Sequence, residues 1–378
     1  MGDSNNISPT SRYTSLDGLR GLASLVVLVH HCFLISPQLA AAVDSNGTGP
    51  FESWVWWVTF TPVHLLWAGQ EAVIVFFILS GFVLTMPFVR SSPPSWRAYY
   101  PKRMVRIYLP VWASLVFALL MAWIVPRVAS ADLSSWVNLH DEPPTMLVDA
   151  FLLRGAGSLN SPLWSLQWEM LFSLLLPLYV VLAMRFRRVW LPCLVGLLLL
   201  VAAGNIVYSA LPVFMPMFGI GVLMAERRDV LERWGRALRF WGWAGLLGLS
   251  MVLVCSRWLF PQLPVVISLA AMGGALLLFA FIACKSAIAL GNQSLVRWLG
   301  TRSFSLYLVH EPIVVSAVFW LHATNPFQVL VIATPLSLLV AEIFFRLVER
   351  PSQRLAGAAG LAFTERVGSA KADRLARR

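Results

Sequence analysis

The sequence predicts an all-α, polytopic integral membrane protein with about ten transmembrane helices. Three observations predict this fold class: hydrophobic residues make up 58% of the 378 residues, charged residues make up only 12%, and the mean hydropathy is +0.73. A soluble domain carries roughly 25% charged residues, and its interior is too small to bury this much apolar surface. The apolar surface must therefore face lipid, which excludes a soluble globular protein, a disordered chain and a coiled coil.

Ten apolar segments are long enough to be membrane helices. A helix rises about 1.5 Å per residue, so about 20 residues cross the roughly 30 Å of hydrocarbon. The fifth and sixth segments nearly touch, near Asn205. The predicted segments are 16–36, 64–89, 104–126, 163–184, 189–207, 209–225, 238–255, 262–284, 303–322 and 326–348.

The distribution of basic residues predicts the orientation of these helices. Cytoplasmic loops carry an excess of Lys and Arg. With the N-terminus placed in the cytoplasm, 25 of the 29 basic residues lie in cytoplasmic segments. Both termini are therefore predicted to be cytoplasmic, in a multi-pass protein of the plasma membrane, and the net charge of +11 needs no nucleic acid to explain it. The predicted divisions are a cytoplasmic segment 1–14, a transmembrane domain 15–351 and a basic cytoplasmic tail 352–378.

The first helix contains the clearest pair of functional candidates, because charges inside membrane helices are costly. Arg20 lies near its inner end, and His30 and His31 lie in its outer third. At about 100° per residue, His31 falls about 20° from Arg20 after three turns and about 16 Å further along the axis, whereas His30 is about 80° off that face. Such a pair suits a long ligand with an anionic head, such as coenzyme A. Arg20 would then pair a phosphate and His31 would act as general base; a packing arginine and a buried neutral histidine are the alternative.

Two carboxylates at a similar depth are candidate partners of His31. Glu71 lies in the outer third of the second helix, and Glu169 lies about 9 Å below the outer end of the fourth. A carboxylate beside an imidazole orients the ring and stabilises its charged form. We therefore expect Glu169, or else Glu71, to act with His31; protonated packing residues are the alternative.

Further candidates lie on the second, third and ninth helices. Arg103 and Arg106 are three residues apart at the start of the third helix, face the same way, and are predicted to hold nucleotide phosphates; an ordinary cytoplasmic anchor is the alternative. His310 and Glu311 lie about mid-depth in the ninth helix, and Ser80 lies in the second. Three further histidines, His64, His140 and His322, are interpreted as interfacial or solvated. The four cysteines show no metal or disulfide spacing.

Six motifs in order resemble the membrane acyltransferase 3 family along essentially the whole chain. The motifs are SLDGLRGLASLVVLVHH, FFILSGFVL, KRMVRIYLP, LWSLQWE, SFSLYLVHEP and LVERP. The Arg and His of the family's first helix match Arg20 and His31, its paired arginines match Arg103 and Arg106, and its Trp-Ser-Leu-x-x-Glu stretch ends at Glu169. The chain departs from the family at Ile74, where many members have Asp, and Glu71 is the candidate substitute.

The resemblance implies O-acylation of a carbohydrate or another hydroxylated molecule, such as surface polysaccharide, peptidoglycan or a macrolide. The donor would be an acyl-CoA, usually acetyl-CoA, reached from the cytoplasm, with no permanently bound cofactor or metal. His31 would either deprotonate the acceptor hydroxyl or carry the acyl group itself. A transporter or flippase of a lipid-linked or glycosylated substrate is the alternative from another class, although the two matching halves with broken helices typical of such proteins are not evident.

Overall fold

The computed structural model describes residues 13–45, 52–90, 93–141, 145–153 and 157–360. All regular secondary structure in these ranges is helical. Most of the predicted N-terminal segment and the last 18 residues of the predicted tail lie outside the described residues.

Each of the ten predicted apolar segments corresponds to a helix, numbered here α1 to α10. Their bounds are Thr14–Phe33 (α1), Gly69–Thr85 (α2), Trp96–Ile124 (α3), Leu163–Arg185 (α4), Trp190–Ile206 (α5), Ala210–Glu226 (α6), Phe240–Val254 (α7), Val266–Ala283 (α8), Ser294–Leu321 (α9) and Pro326–Phe344 (α10). A π-helical turn, Phe345–Glu349, continues α10 toward Gly360. The polytopic, all-α fold class is confirmed.

Fewer than ten of these helices have the length of a full membrane crossing. Seven helices in the described ranges are long and apolar enough to cross, and α6 makes an eighth if it is counted with Arg228–Ala237, from which it bends by 73°. The helices α2 and α7 have 17 and 15 residues, which span only about 25 and 22 Å. Ten crossings and two cytoplasmic termini therefore stay predictions.

Shorter helices connect these ten. They are Pro37–Asp44, Ser53–Thr59 and Pro62–Leu66 between α1 and α2, Ser135–Asn138, Leu139–Asp141 and Met146–Ala150 between α3 and α4, Arg187–Val189 between α4 and α5, Arg228–Ala237 between α6 and α7, Ser256–Leu259 between α7 and α8, and Lys285–Gly291 between α8 and α9.

Local sequence explains where several helices begin. The Ser95 hydroxyl accepts a hydrogen bond from the backbone N–H of Arg97 and caps α3, satisfying a donor that the first turn leaves unpaired. The side chain of Asn325 caps α10 in the same way, directly before Pro326, and proline is favoured at a first helical position. The helix α9 continues through Pro312.

The helices α1 and α9 pack closely because glycines face each other at their contact. A Cβ atom added to Gly21 would lie 2.9 Å from the Cα atom of Gly300, so neither helix tolerates a larger side chain there. Small residues allow membrane helices to approach at short distance. This contact fixes the distance between α1 and α9, and so determines how closely His31 of α1 approaches α9.

The connection between α3 and α4 packs onto α9. Val137 is fully buried, and the side-chain amide of Asn160 donates a hydrogen bond to the carbonyl oxygen of Leu308, in the middle of α9, at 2.9 Å. The described residues of the segment 127–162, hereafter the α3–α4 loop, thereby cover the region of α9 around Glu311.

Candidate active site

His31 of α1 is in hydrogen-bond contact with His310 of α9. The Nδ1 atom of His310 lies 2.9 Å from the carbonyl oxygen of Leu306, and its Nε2 atom lies 2.9 Å from Nδ1 of His31. Nδ1 of His31 also lies 3.0 Å from the carbonyl oxygen of Val27. A proton on each Nδ1 satisfies these contacts, because His310 then donates to Leu306 and accepts from His31. The remaining nitrogen of His31, Nε2, keeps a lone pair.

Glu311 is the carboxylate that faces this nitrogen. Its Oε2 atom lies 3.4 Å from Nε2 of His31. The side chain of Glu311 is fully buried, whereas 12% of the His31 side chain is accessible. A proton taken up at Nε2 would thus face a carboxylate directly, and a nearby negative charge favours the protonated form of an imidazole.

Three donors from the α3–α4 loop hold Glu311. The backbone N–H and the hydroxyl of Ser161 donate to its Oε1 and Oε2 atoms, both at 2.5 Å. Nε2 of His140 lies 3.0 Å from Oε1. A buried carboxylate needs such donors to remain charged, so this arrangement supports an ionised Glu311.

The structure does not bring Glu169 into the predicted contact with His31. Glu169 forms an ion pair with Arg103, whose Nε–H also donates to the hydroxyl of Ser173 at 2.9 Å. The carboxylate that faces His31 is Glu311 of α9, which the sequence placed at mid-depth. The prediction placed residues along the helix axes only, and depth does not determine which face of α4 is turned toward α1.

Glu71 is also not brought into hydrogen-bond contact with His31. Its Oε1 atom accepts a hydrogen bond from the indole N–H of Trp258 at 3.0 Å, and its Oε2 atom lies 3.8 Å from Nε2 of His64. The ring of His30 stacks on that of Trp67, which also contacts His64, and Nδ1 of His30 lies 2.9 Å from the carbonyl oxygen of Trp67. Glu71 is therefore part of a buried aromatic and polar cluster next to the site.

The interpretation of His64 and His140 as interfacial or solvated is wrong. His64 is 1% and His140 4% exposed. His64 packs against the rings of Trp67 and Trp258, with centroids 4.9 and 4.6 Å away. In the structure both lie in short helices of connecting segments, although the sequence placed His64 at the outer end of the second predicted helix. His322 is exposed, at the C-terminal end of α9.

The predicted phosphate-binding residues share one cavity of about 690 Å³. Arg20, Arg103 and Arg106 line it together with Ser80 and Glu169. The cavity is enclosed by α1, α2, α3, α4 and α9, near the ends of α1 and α3 that the basic residues assign to the cytoplasm. Two helices distant in sequence, α1 and α3, thus bring the three arginines together.

The three arginines differ in how they are paired. Arg103 is buried and bound to Glu169 and Ser173. Among the described residues, no carboxylate forms an ion pair within 4.0 Å of Arg20 or Arg106. Arg20 and Arg106 are therefore available to an anionic ligand, and Arg90, which also lines the cavity, likewise forms no ion pair within 4.0 Å of a described carboxylate.

The cavity and the histidine pair are adjacent along α9. Tyr307 lines the cavity, and its hydroxyl lies 2.7 Å from that of Ser165, which also lines it. The ring of Tyr307 is 6.0 Å from that of His310, and Glu311 follows one turn after Tyr307. Because α1 is uninterrupted, His31 stands about 16 Å along the helix axis from Arg20.

Comparison with known proteins decides the family. The family model of the acyltransferase 3 family, described as an acyltransferase domain, matches residues 13–346. The chain belongs to the acyltransferase 3 family. It is 29% identical over 334 residues to the acyltransferase MdmB of Streptomyces mycarofaciens, covering 79% of this chain and 78% of that protein. No solved structure matches the chain.

Membership in the acyltransferase 3 family makes the protein an O-acyltransferase, as the motifs indicated. Glu311 lies in one of the family motifs, but the motif does not define its role. Its position next to His310, inside an apolar helix, was the sequence feature that could have identified it as a site residue. Nothing in the sequence singled out His140 and Ser161, because they lie in a loop. Within the described ranges, no three His, Cys, Asp or Glu side chains are arranged to hold a metal ion.

Proposed function

We propose that this acyltransferase transfers an acyl group, usually acetyl, from an acyl-CoA to a hydroxyl group of a carbohydrate or similar hydroxylated molecule. The observation that carries the proposal is the alignment of Arg20 with the free Nε2 of His31, about 16 Å further along α1, beside a cavity that Arg20 shares with Arg106. A donor with phosphates at one end and a thioester at the other matches this separation. The protein would act in the plasma membrane and take its donor from the cytoplasm.

Arg20 and Arg106 are the proposed phosphate ligands. A guanidinium group binds phosphate with charge-assisted hydrogen bonds, and neither arginine has to break an ion pair with a described residue to do so. Arg103 is already neutralised by Glu169, so its proposed contribution is to hold α3 against α4 and to shape the cavity wall. Ser80 of α2 offers a hydroxyl group to the same cavity.

His31 is the proposed general base. Its Nε2 atom removes the proton of the acceptor hydroxyl while the hydroxyl oxygen attacks the thioester carbonyl carbon. The carbon–sulfur bond then breaks, the proton passes from His31 to the leaving sulfur, and the products are an ester and free CoA. Glu311, 3.4 Å from Nε2, stabilises the imidazolium that exists between these two proton transfers.

The geometry favours direct transfer over an acyl-histidine intermediate. An acyl group on Nε2 would occupy the atom that faces Glu311 Oε2 at 3.4 Å, and its carbonyl oxygen would add a partial negative charge beside a carboxylate. An imidazolium proton at the same position is attracted by that carboxylate instead.

Purified protein in lipid nanodiscs tests the proposal. Acetyl-CoA is supplied with a panel of hydroxylated acceptors (a glycoside, a glycolipid and a macrolide), and both free CoA and acetylated product are measured. Acceptor-dependent CoA release that is lost in His31→Gln supports the proposal. Failure to consume acetyl-CoA or longer acyl-CoAs with any acceptor, by correctly inserted protein, would contradict the acyl-CoA donor.

A further inference from the structure

His140 contacts acceptors with both nitrogens of its ring. Nδ1 lies 2.9 Å from the carbonyl oxygen of Trp136, and Nε2 lies 3.0 Å from Oε1 of Glu311. Only 1% of its side chain is exposed. A carbonyl oxygen accepts and cannot donate, so Nδ1 carries a proton. Oε1 of Glu311 also accepts from the backbone N–H of Ser161, so the geometry favours a proton on Nε2 as well and an imidazolium at His140.

Two imidazoles thus share one buried carboxylate. His140 lies at Oε1 of Glu311, and His31 lies at Oε2. A buried carboxylate requires a counter-charge or a proton, and one additional proton among the three groups meets this requirement. If that proton resides between Nε2 of His31 and Glu311, His31 has no lone pair for a substrate. If it resides on His140, Nε2 of His31 stays available.

We propose that His140 is a positioning residue that carries the counter-charge of Glu311 and so keeps His31 neutral and ready to act as a base. The α3–α4 loop then completes the active site electrostatically, through a side chain that does not touch the reacting atoms. The consequence for turnover rests on the proposed function, whereas the protonation of His31 is a property of the protein without substrate.

Among the described residues, no other cationic side chain than these histidines lies within 4.0 Å of the Glu311 carboxylate. Ser161 contributes neutral donors, and His310 is held by backbone and by His31. His30, whose ring centroid lies 5.5 Å from that of His31, is bound to a backbone carbonyl. Arg127 of the same loop donates to a backbone carbonyl at 3.3 Å and forms no ion pair within 4.0 Å of Glu311. Burial lowers the pKa of Arg127, an effect that the negative charge of Glu311 partly opposes.

Chemical modification of His31 tests the protonation directly. Diethyl pyrocarbonate reacts with the neutral imidazole only, and His31 is accessible whereas His140 and His310 are buried. The initial rate of His31 modification is measured by mass spectrometry in nanodiscs across the range in which imidazole titrates, about pH 5–8. The variants are His140→Gln, which keeps a hydrogen-bond donor, and His140→Ala, which keeps neither donor nor charge. The exposed His322→Gln is the matched control.

Removal of a nearby positive charge favours protonation of His31, so the pH midpoint of its modification rises. We expect a rise of about one pH unit or more in both His140 variants and none in His322→Gln. An unchanged midpoint in His140→Gln overturns the proposal. A rise in His140→Ala alone also overturns it, because the hydrogen bond and not the charge would then position Glu311.

The pH dependence of acyl transfer provides a second measurement. The acidic limb of kcat is expected to move upward by the same amount in His140→Gln, with recovery at alkaline pH and an unchanged KM for acyl-CoA. A uniform loss of kcat at every pH would mean a structural role only and would contradict the proposal. If the wild-type protein transfers no acyl group but the modification midpoint still moves, the proposed function fails while the role of His140 stands.

Discussion

Nε2 of His31 lies 3.4 Å from Oε2 of Glu311, across the contact between α1 and α9. While His31 is neutral, this contact offers no hydrogen bond, because both atoms are acceptors. It becomes a charge-assisted hydrogen bond as soon as Nε2 gains a proton. The stabilisation therefore arises during proton transfer and is small before it, which is the condition for lowering a reaction barrier.

The first prediction concerns this contact. Glu311→Gln keeps the size of the side chain but removes the negative charge that stabilises the imidazolium of His31. We expect kcat to fall about a hundredfold or more. The KM for acyl-CoA should be nearly unchanged, because Glu311 does not line the cavity that contains Arg20 and Arg106. Steady-state kinetics at several donor concentrations measures both constants, and wild-type kcat would remove Glu311 from the mechanism.

The second prediction separates the two adjacent histidines. His31→Gln removes the free Nε2 and should lower kcat at least about a hundredfold. His30→Gln should keep substantial activity, because the ring of His30 is bound to the carbonyl oxygen of Trp67 and does not face Glu311. Both variants are compared for expression and for kcat at saturating acyl-CoA; greater loss in His30→Gln would reverse the assignment.

The third prediction distinguishes the arginines of the cavity. Arg106→Ala should raise the KM for acyl-CoA about ten- to a hundredfold, the effect of losing one charge-assisted hydrogen bond. Arg103→Ala should instead lower the thermal stability, because it leaves Glu169 without its ion-pair partner. The double variant with Glu169→Gln should regain part of that stability. A KM effect from Arg103→Ala equal to that of Arg106→Ala, without loss of stability, would return Arg103 to the phosphate site.

The fourth prediction concerns the glycine contact that brings α1 to α9. A side chain at Gly21 would meet the backbone of α9 at Gly300, so Gly21→Val should separate the helices, cost about 1–3 kcal/mol, and lower kcat by moving His31 away from Glu311. Gly245→Val is the matched control, because no atom lies within 4 Å of a Cβ at that position. Equal activity of the two variants would show that this close approach does not position the site.

The fifth prediction is the topology. Reporter fusions after Arg188 and after Arg378 should both report a cytoplasmic location, since 25 of the 29 basic residues lie on that side in the ten-helix arrangement. The short helices α2 and α7 are the critical elements, because a failure of either to cross would invert every later segment. An external signal from either fusion would therefore contradict the ten-helix arrangement with cytoplasmic termini.

The sequence by itself determined the class of fold, the helices and the family. Lipid imposes a simple rule, which is that a spanning segment must be a long apolar helix, and this rule can be read from composition alone. The helical face shared by Arg20 and His31 was equally predictable, because it depends on the fixed periodicity of one continuous helix. The shared cavity of Arg20, Arg103 and Arg106 agrees with the family motifs.

Only the tertiary structure decided which carboxylate serves His31. The sequence indicated the depth of Glu71, Glu169 and Glu311, but the rotation of each helix about its axis depends on packing between helices, as at Gly21 and Gly300. Glu169 consequently turned to Arg103, and Glu311 to His31. The position of His140 was still less predictable. It lies in a loop without periodicity, and its contact with Glu311 spans 171 residues of sequence and exists only because that loop folds back onto α9.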